Sequence, residues 1–174
     1  MITEQQLATI MPWAKKRAAK FVEHLNAAMN EFDIVTPARE AAFLAQIAHE
    51  SGELVYLKEI ASGAAYEGRA DLGNSQPGDG VRYKGRGLIQ VTGRANYQAC
   101  GDALGLDLVA EPERLEEPEL ACRSAGWFWQ SRGLNALADA GDFKRITRLI
   151  NGGYNGLKDR EHYYAKAKQE LGAA

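Results

Sequence analysis

Residues 38–49 restrict the fold more than any other segment, because they are apolar around most of a helix. They read Ala-Arg-Glu-Ala-Ala-Phe-Leu-Ala-Gln-Ile-Ala-His, with few polar side chains after the first turn. A helix that is apolar on nearly all sides must be surrounded by other elements. Thr36 as N-cap and Pro37 as first helical residue mark its start. The sequence therefore predicts a central helix around which the rest of the chain packs.

Amphipathic segments that would surround this helix lie on both sides of it. Thr3 and Gln6 form a capping-box pattern, which predicts a first helix. Periodic apolar residues predict further helices at 13–30, 96–104, 119–130, 142–150 and 159–171. We find no repeat and no interdomain linker in the sequence. The prediction is one mainly α domain over residues 1–174, with little or no β-structure.

Residues 63–93 have a different character, because glycines interrupt them at short intervals. The run is too irregular for a helix and too rich in glycine for a regular sheet. Within it, residues 88–91 predict a short strand or an extended segment. A long loop of this kind inside a compact domain is usually functional.

Composition excludes several classes of function. The chain has 174 residues, 45% of them hydrophobic, and a formal net charge of −2, which gives no broad attraction for nucleic acid. No stretch approaches the roughly 20 apolar residues of a membrane span. The N-terminus is polar and acidic, so we expect a cytoplasmic protein, or one exported without a cleavable signal. Cys100 and Cys122 are expected to be buried thiols, with a single disulfide as the alternative.

Glu50 is the first candidate catalytic residue. It follows the apolar segment in the run His49-Glu50-Ser51-Gly52, and it shares a helical stripe with Phe43 and Ile47. Partial desolvation disfavours the charged form of a carboxyl group, and such an environment suits a general acid near neutral pH. The sequence therefore predicts Glu50 as a proton donor.

Glu59 is the second candidate carboxylate, nine residues further on. In one continuous helix, nine steps of about 100° would place Glu50 and Glu59 on opposite faces. Gly52 is a plausible helix end, however, and a chain that turns there brings Glu59 back across a cleft. A pair of carboxylates across a cleft is typical of a glycosidase. The alternative is that Glu59 is a solvated surface residue and Glu50 a polar helix terminus.

Three polar clusters downstream suit the binding of sugars. Gln90 and Thr92 alternate with Val91, so both point to one face if the segment is extended. Their amide and hydroxyl groups match sugar hydroxyls and acetamido groups and also suit a held water. Asn96-Tyr97 offers an amide and an aromatic ring, and Asn151 ends a helix before Gly152. The alternative is that these groups only satisfy local backbone and that Gly152 is simply a helix stop.

The sequence contains no motif typical of a metal site or of a serine hydrolase. His24, His49 and His162 are not spaced as metal ligands, and no His-Glu-x-x-His or Gly-x-Ser-x-Gly motif is present. We expect no cofactor. Trp13, Trp127 and Trp129 are predicted as packing residues rather than sugar platforms, with Trp129 open to either role.

Four ordered motifs together carry a resemblance to a known family. His-Glu-Ser-Gly at 49–52 with a second Glu nine residues on, Tyr-Lys-Gly-Arg-Gly-Leu-Ile-Gln-Val-Thr at 83–92, Asn-Tyr at 96–97 and Ile-Asn-Gly-Gly at 150–153 resemble family 19 glycoside hydrolases. That family contains chitinases and phage or prophage endolysins. The resemblance implies a lysozyme-like, bilobal, α-rich fold with a glycan-binding cleft. It also implies an inverting mechanism, for which carboxyl groups roughly 6.5–9.5 Å apart are expected.

The resemblance also assigns roles by motif position. It implies Glu50 as general acid, Glu59 as general base and Thr92 as the residue that helps hold the attacking water. Glu67 competes for the role of base, because the register after Glu59 is less secure. The substrate-binding set that we expect consists of Gln90, Thr92, Asn96, Tyr97, Asn151, Tyr66 and Arg160, the last as a basic neighbour of the acid.

Because it lacks a signal peptide and abundant disulfides, the chain resembles an endolysin of this family more than a secreted plant chitinase. The expected substrate is the glycan of bacterial peptidoglycan, reached by a monomeric enzyme after release through a partner holin. One alternative is a chitinase acting on chitin oligomers. Another is a noncatalytic glycan-binding protein of the same fold.

Overall fold

Helices make up most of the computed structural model, which describes residues 1–173. Four short 3-10 segments, at Pro12–Ala14, Ala64–Tyr66, Ala70–Leu72 and Pro112–Glu116, separate some of them. The helices described are α1 (Glu4–Ile10), α2 (Lys15–Glu31), α3 (Pro37–Glu50), α4 (Asp79–Arg82), α5 (Arg94–Leu104), α6 (Pro118–Ser131), α7 (Leu134–Asp139), α8 (Phe143–Asn151) and α9 (Leu157–Leu171). The predicted mainly α fold is confirmed.

The predicted central helix is α3. Thr36 Oγ1 accepts a hydrogen bond from Arg39 N at 3.3 Å, and Pro37 occupies the first turn. Residues 41–48 are all buried, with α9 lying along the helix and α7 beside it. Burial of large side chains such as Phe43 and Leu44 contributes about 1.5–3 kcal/mol each. The burial confirms the central helix that the apolar segment predicts.

Helix α2 follows its predicted apolar face, whereas Trp13 before it does not pack as predicted. Ala18, Phe21, Leu25 and Met29 of α2 are buried, as predicted. The prediction that Trp13 is a packing residue is wrong, since 82% of it is exposed. Trp13 lies in the 3-10 segment before α2, so it falls outside the apolar face of that helix. Short helices α4 and α7, of four and six residues, are too short to show a helical period in the sequence.

The glycine-rich region is a series of turns rather than a strand. Its β-structure, among residues 1–173, is limited to isolated bridges that pair Lys58 with Arg86 and Arg86 with Val91. Arg86 N donates to Val91 O at 3.1 Å, and Val91 N donates back to Arg86 O at 2.8 Å. Gly87 has φ of +91°, which turns the chain between these two residues. The strand predicted at 88–91 is therefore mostly a tight loop.

Both cysteines are free and buried, as the sequence predicts. Burial raises the pKa of the Cys100 thiol to about 12 and raises that of Cys122 as well. Both thiols are therefore protonated at neutral pH, and neither is a reactive nucleophile. Separately, none of the helices described within residues 1–173 has the length and hydropathy to cross a membrane.

Asp79 fastens the glycine-rich region to the first turn of α5. Its carboxylate accepts from Arg94 Nη2 at 2.6 Å, from Arg94 Nε at 2.8 Å and from Gln76 N at 3.0 Å. The Arg94 hydrogen bond lowers the pKa of Asp79 below its ordinary value of 3.8, against the opposing effect of burial. The ionised carboxylate therefore stabilises the folded state.

We expect Asp79→Asn to lower the free energy of unfolding at neutral pH. Because the folded pKa is depressed, the stabilisation is present above the unfolded pKa and is lost as pH falls through the folded pKa. The difference in free energy of unfolding between wild type and variant should therefore shrink as pH falls from neutral to about 2. Urea midpoints measured across that range test this. A gap that stays constant with pH would contradict it.

Candidate active site

Glu50 is the last residue of α3, and its partner comes from α9. Arg160 Nη2 lies 2.5 Å from Glu50 Oε1, and Glu50 Oε1 has no aligned hydrogen bond among residues 1–173, so the contact is an ion pair. The Glu50 side chain remains 22% exposed, whereas that of Arg160 is 1% exposed. One oxygen of Glu50 thus contacts the buried Arg160, while the rest of the carboxyl group still reaches the surface.

Arg160 is itself fixed by two further contacts. It donates to Gln46 Oε1 at 2.5 Å and to Asn155 O at 3.2 Å, while Gln46 Nε2 donates to Thr147 Oγ1 at 2.9 Å. The expected basic neighbour of Glu50 is present, but the expectation that Arg160 binds substrate is wrong. Its side chain is buried because it fills the space between α3 and α9, so it acts on Glu50 instead.

The chain reverses immediately after Glu50. Gly52, Glu53 and Leu54 have φ of +56°, +56° and +68°, so the helix ends at the glycine that the sequence indicates. The buried Glu53 carboxylate fixes this turn by accepting from Trp13 N at 2.6 Å and from Tyr163 Oη at 2.6 Å. Sequence analysis missed Glu53, since nothing in its neighbourhood distinguishes it from a surface residue.

Glu59 lies half-buried beyond this turn, against the Gly-Arg-Gly segment. Its backbone N donates to Gly85 O at 2.9 Å, and Tyr66 Oη donates to Glu59 Oε2 at 3.0 Å. Burial, together with the Glu59 hydrogen bond, raises the pKa of Tyr66, which keeps that phenol protonated as a donor. Glu59 Oε1 is buried and has no hydrogen-bond partner within residues 1–173. Tyr66, expected in the substrate-binding set, therefore contacts the second carboxylate.

Glu67, the competing candidate for the base, accepts hydrogen bonds from backbone amides with both of its carboxylate oxygens. Its Oε1 accepts from Gly78 N at 2.7 Å, and its Oε2 accepts from Gly80 N at 2.9 Å. Both oxygens are therefore occupied in holding a loop. This geometry favours Glu59 over Glu67 as the carboxylate available to a water molecule.

Gln90, Thr92 and Asn96 meet at one small cavity, although residues 88–91 form a tight loop and not the extended segment from which the sequence predicts a shared face. The cavity measures about 100 Å³. Thr92 Oγ1 donates to Gln90 O at 3.3 Å, and Asn96 Nδ2 donates to Thr92 O at 2.7 Å. The cavity is lined by these three residues with Leu72, Val91, Trp127, Phe128 and Arg132.

The two tryptophans of α6 divide between the cavity and the core. Trp129 is fully buried and packs edge-on against Phe43, with ring centroids 5.3 Å apart, as a packing residue should. Trp127 is only half-buried and lines the cavity, so its role is not packing alone. Arg132, which lies over the Phe128 ring at 3.6 Å, was missed because an arginine after a helix end resembles an ordinary surface residue.

Tyr97 and Asn151 are placed differently from one another. Tyr97 is fully buried, packs 5.3 Å from the Tyr83 ring and donates to Lys84 O at 2.6 Å. The expectation that its ring binds sugar is therefore wrong, because the ring supports the Gly-Arg-Gly segment from beneath. Asn151 is exposed, and its Oδ1 accepts from Asn155 N at 3.2 Å, next to the carbonyl that holds Arg160.

Gly85 lies between Glu59 and Gln90 and brings the two side chains together. A Cβ at residue 85 would lie 2.9 Å from Gln90 Oε1 and 3.0 Å from Glu59 Oε2. Only a glycine leaves both polar groups where they are. The backbone at Gly85 therefore lies against both Glu59 and Gln90, and Gln90 lines the small cavity.

We expect Gly85→Ala to lower kcat/KM on a glycan substrate by about 10²-fold, because displacing catalytic groups by about 1 Å has effects of that size. Steady-state kinetics with oligosaccharides would measure it. Gly101→Ala is the matched control, because the added Cβ would lie only 2.6 Å from Leu106 O. Neither residue belongs to the candidate site. That variant should lose stability while its folded fraction keeps wild-type kcat. Equal kcat/KM losses in the two variants would contradict the role of Gly85.

Solved structures share the whole architecture. Chitinase C from Streptomyces griseus superposes with a TM-score of 0.82 at 27% identity, over 99% of this chain and 77% of that one. A structure described as a bacterial family 19 chitinase superposes with a TM-score of 0.81 at 25% identity, over 99% of this chain and 96% of that one.

Sequence comparison gives the same result. Residues 26–139 match the glycoside hydrolase 19 family, described as chitinase class I. A "Glycosyl hydrolase family 19 domain-containing protein" of Haemophilus influenzae is 31% identical over 94% of both chains. An Arabidopsis thaliana endochitinase is 40% identical over 76% of this chain, which spans only 47% of that protein. The chain therefore belongs to glycoside hydrolase family 19 and is a chitinase-like glycoside hydrolase.

Proposed function

We propose that this protein hydrolyses β-1,4 bonds between N-acetylated sugars with inversion, using Glu50 as general acid and Glu59 as general base. The observation that carries the proposal is Glu59 Oε1, a buried carboxylate oxygen without a partner within residues 1–173. A buried acceptor without a donor is costly, and a water molecule on that oxygen would satisfy it. The same water would be the nucleophile of an inverting reaction.

The proposed reaction uses each carboxyl group once. Glu50 donates its proton to the glycosidic oxygen as the bond from that oxygen to the anomeric carbon breaks. Glu59 accepts a proton from water, whose oxygen bonds the anomeric carbon from the opposite face. Thr92 helps to hold that water, and solvent then restores both protonation states. A β-linked substrate therefore yields an α-configured reducing end.

We propose peptidoglycan as the substrate, and an endolysin-type role in cell lysis. The support is electrostatic, because peptidoglycan carries carboxylates on its peptides whereas chitin is uncharged. The exposed face of α8, the helix that ends at Asn151, carries Lys144, Arg145 and Arg148. We further propose that the protein acts as a monomer, is made in the cytoplasm, and reaches the wall through a holin-type membrane lesion.

Chitin is the second candidate substrate. The names of the relatives favour it, since the plant proteins are described as endochitinases and the matched bacterial structures as chitinases. The chain spans about half the length of those plant relatives, 47% in the Arabidopsis case. Both glycans would present acetamido groups of β-1,4-linked sugars to Gln90 and Asn96, so the cleft chemistry serves either one.

Product analysis separates these proposals. Purified peptidoglycan and chitin oligomers are incubated separately with the protein, and the new reducing ends are identified by mass spectrometry and early-time proton NMR. We expect cleavage after N-acetylmuramic acid, with the α-anomer forming first. Cleavage of chitin alone would replace peptidoglycan with the second candidate. A β-anomer formed first would contradict inversion, and binding without cleavage of either glycan would contradict the enzymatic role.

A further inference from the structure

The exposed face of α8 forms a cationic groove of about 580 Å³ beside Asn151. We define the α8 groove by its lining residues, which are Asp142, Lys144, Arg145, Arg148, Leu149 and Tyr154. Phe143, Ile146 and Thr147 take the opposite, buried face of the helix. The helical period therefore directs all three cations of this helix to the solvent side.

These cations have no acidic partner in the part of the chain that the structure describes. No carboxylate lies within 4.0 Å of Lys144, Arg145 or Arg148 among residues 1–173, whereas many other arginines are paired, such as Arg39 with Asp139. Asp142 lines the groove, but its Oδ1 caps the helix by accepting from Arg145 N at 3.1 Å. The groove is thus a concentration of positive charge on a chain whose net charge is −2.

The arrangement also places like charges next to one another. Lys144 and Arg145 lie in the first turn of α8, at the positive end of the helix dipole, where the N-cap Asp142 supplies the acidic side chain. Arg148 is a same-face neighbour of both at spacings of four and three, where like charges repel. A negatively charged ligand in the α8 groove would offset this repulsion.

The α8 groove is linked to the candidate active site through Asn155 and Arg160. Asn151 ends α8, and Lys144 lies about 10 Å before it along the helix axis at 1.5 Å per residue. Tyr154 at the groove is followed directly by Asn155, whose carbonyl accepts from Arg160 at 3.2 Å, and Arg160 holds Glu50. We therefore take an occupant of the groove to be part of the same glycan strand that the site would cleave.

We propose that the α8 groove binds the carboxylates of the peptides attached to a peptidoglycan strand. This inference rests on the proposed function and names the group that distinguishes peptidoglycan from chitin at this site. Lys144, Arg145 and Arg148 pair with the carboxylates. Tyr154 and Leu149, which are 53% and 43% exposed, pack against the aliphatic parts of the peptide.

The test replaces all three cations together, as Lys144→Gln, Arg145→Gln and Arg148→Gln. We expect KM on soluble peptidoglycan fragments to rise about tenfold with kcat unchanged, the size expected of three exposed ion pairs. On chitin oligomers, KM should stay at the wild-type value. Amidating the fragment carboxylates with carbodiimide and an amine should abolish the difference between wild type and variant.

A second triple variant gives the matched control. Lys15, Lys16 and Lys20 are exposed on α2, none is paired within residues 1–173, and their replacement by Gln changes the net charge equally. The control should leave KM on peptidoglycan unchanged. Equal KM rises in both triple variants, or an equal rise on chitin, would overturn the proposal. So would an effect that disappears when wall phosphate polymers are first removed from the fragments with hydrofluoric acid.

The inference and the proposed function can fail separately. If wild-type protein does not cleave peptidoglycan, the proposed function fails, and cosedimentation with intact sacculi still tests the groove. The α8 triple variant should then sediment less than wild type and the α2 control equally. Equal sedimentation of all three proteins would overturn the groove proposal.

Discussion

Glu50→Gln is expected to lower kcat by about 10²- to 10⁴-fold, the usual contribution of a general acid or base. The amide cannot donate a proton to the glycosidic oxygen as a carboxylic acid does. It still presents an oxygen to Arg160, which lies 2.5 Å from Glu50 Oε1, so the buried guanidinium keeps an acceptor. Kinetics on oligosaccharides and thermal unfolding of the same sample measure the two effects independently.

Glu50→Ala is the informative comparison. It removes the acceptor as well as the acid, so Arg160 Nη2 loses its carboxylate partner while Gln46 Oε1 and Asn155 O still accept from the other nitrogens of Arg160. Losing one interaction with a buried charged group costs about 1.5–3 kcal/mol. We therefore expect the Gln and Ala variants to share the loss of kcat, while only the Ala variant unfolds at a clearly lower temperature. Substantial lytic or hydrolytic activity in either variant would remove Glu50 from the mechanism.

Glu59→Gln is expected to lower kcat by a similar factor of about 10²–10⁴, because the amide cannot take a proton from water. Glu67→Gln should lower kcat less than tenfold, which distinguishes the two candidate bases. Both oxygens of Glu67 already accept from the amides of Gly78 and Gly80. Its replacement places an amide NH₂ against one of those donors, so we expect lower stability instead.

Azide provides a sharper version of this experiment. In Glu59→Ala the space of the lost carboxylate admits an external anion that needs no base. We expect azide to restore part of the activity and to yield an α-glycosyl azide, consistent with attack from the face opposite the leaving group. In Glu67→Ala azide should have no such effect. Rescue of the Glu67 variant alone would reverse the assignment of the base.

The helices could be predicted from the sequence because their apolar residues recur with a helical period. The burial of α3, the Thr3 capping box and the buried face of α2 all follow from local pattern. The glycine-rich region could not be predicted in the same way. Its conformation depends on distant partners, such as Glu116, which accepts from Arg86 Nε at 2.8 Å, and Arg94, which pairs with Asp79.

The site residues divide along similar lines. Order and spacing along the chain indicated Glu50, Glu59, Gln90, Thr92 and Asn96 as candidates, because motif position is a property of sequence. Spacing alone did not show that Tyr97 is buried beneath the loop, or that Arg160 is buried under Glu50. Those placements follow from how α5 and α9 pack against other elements.

By itself, the sequence determined that an apolar helix would lie at the centre and end in a carboxylate followed by a turn, because hydrophobic period and glycine position act locally. Only the tertiary structure decided which carboxylates remain available for chemistry. Both carboxylate oxygens of Glu67 accept from backbone amides, and Glu50 pairs with Arg160. Glu59 has one buried oxygen without a donor within residues 1–173. The availability of a polar group depends on partners that folding brings from elsewhere in the chain.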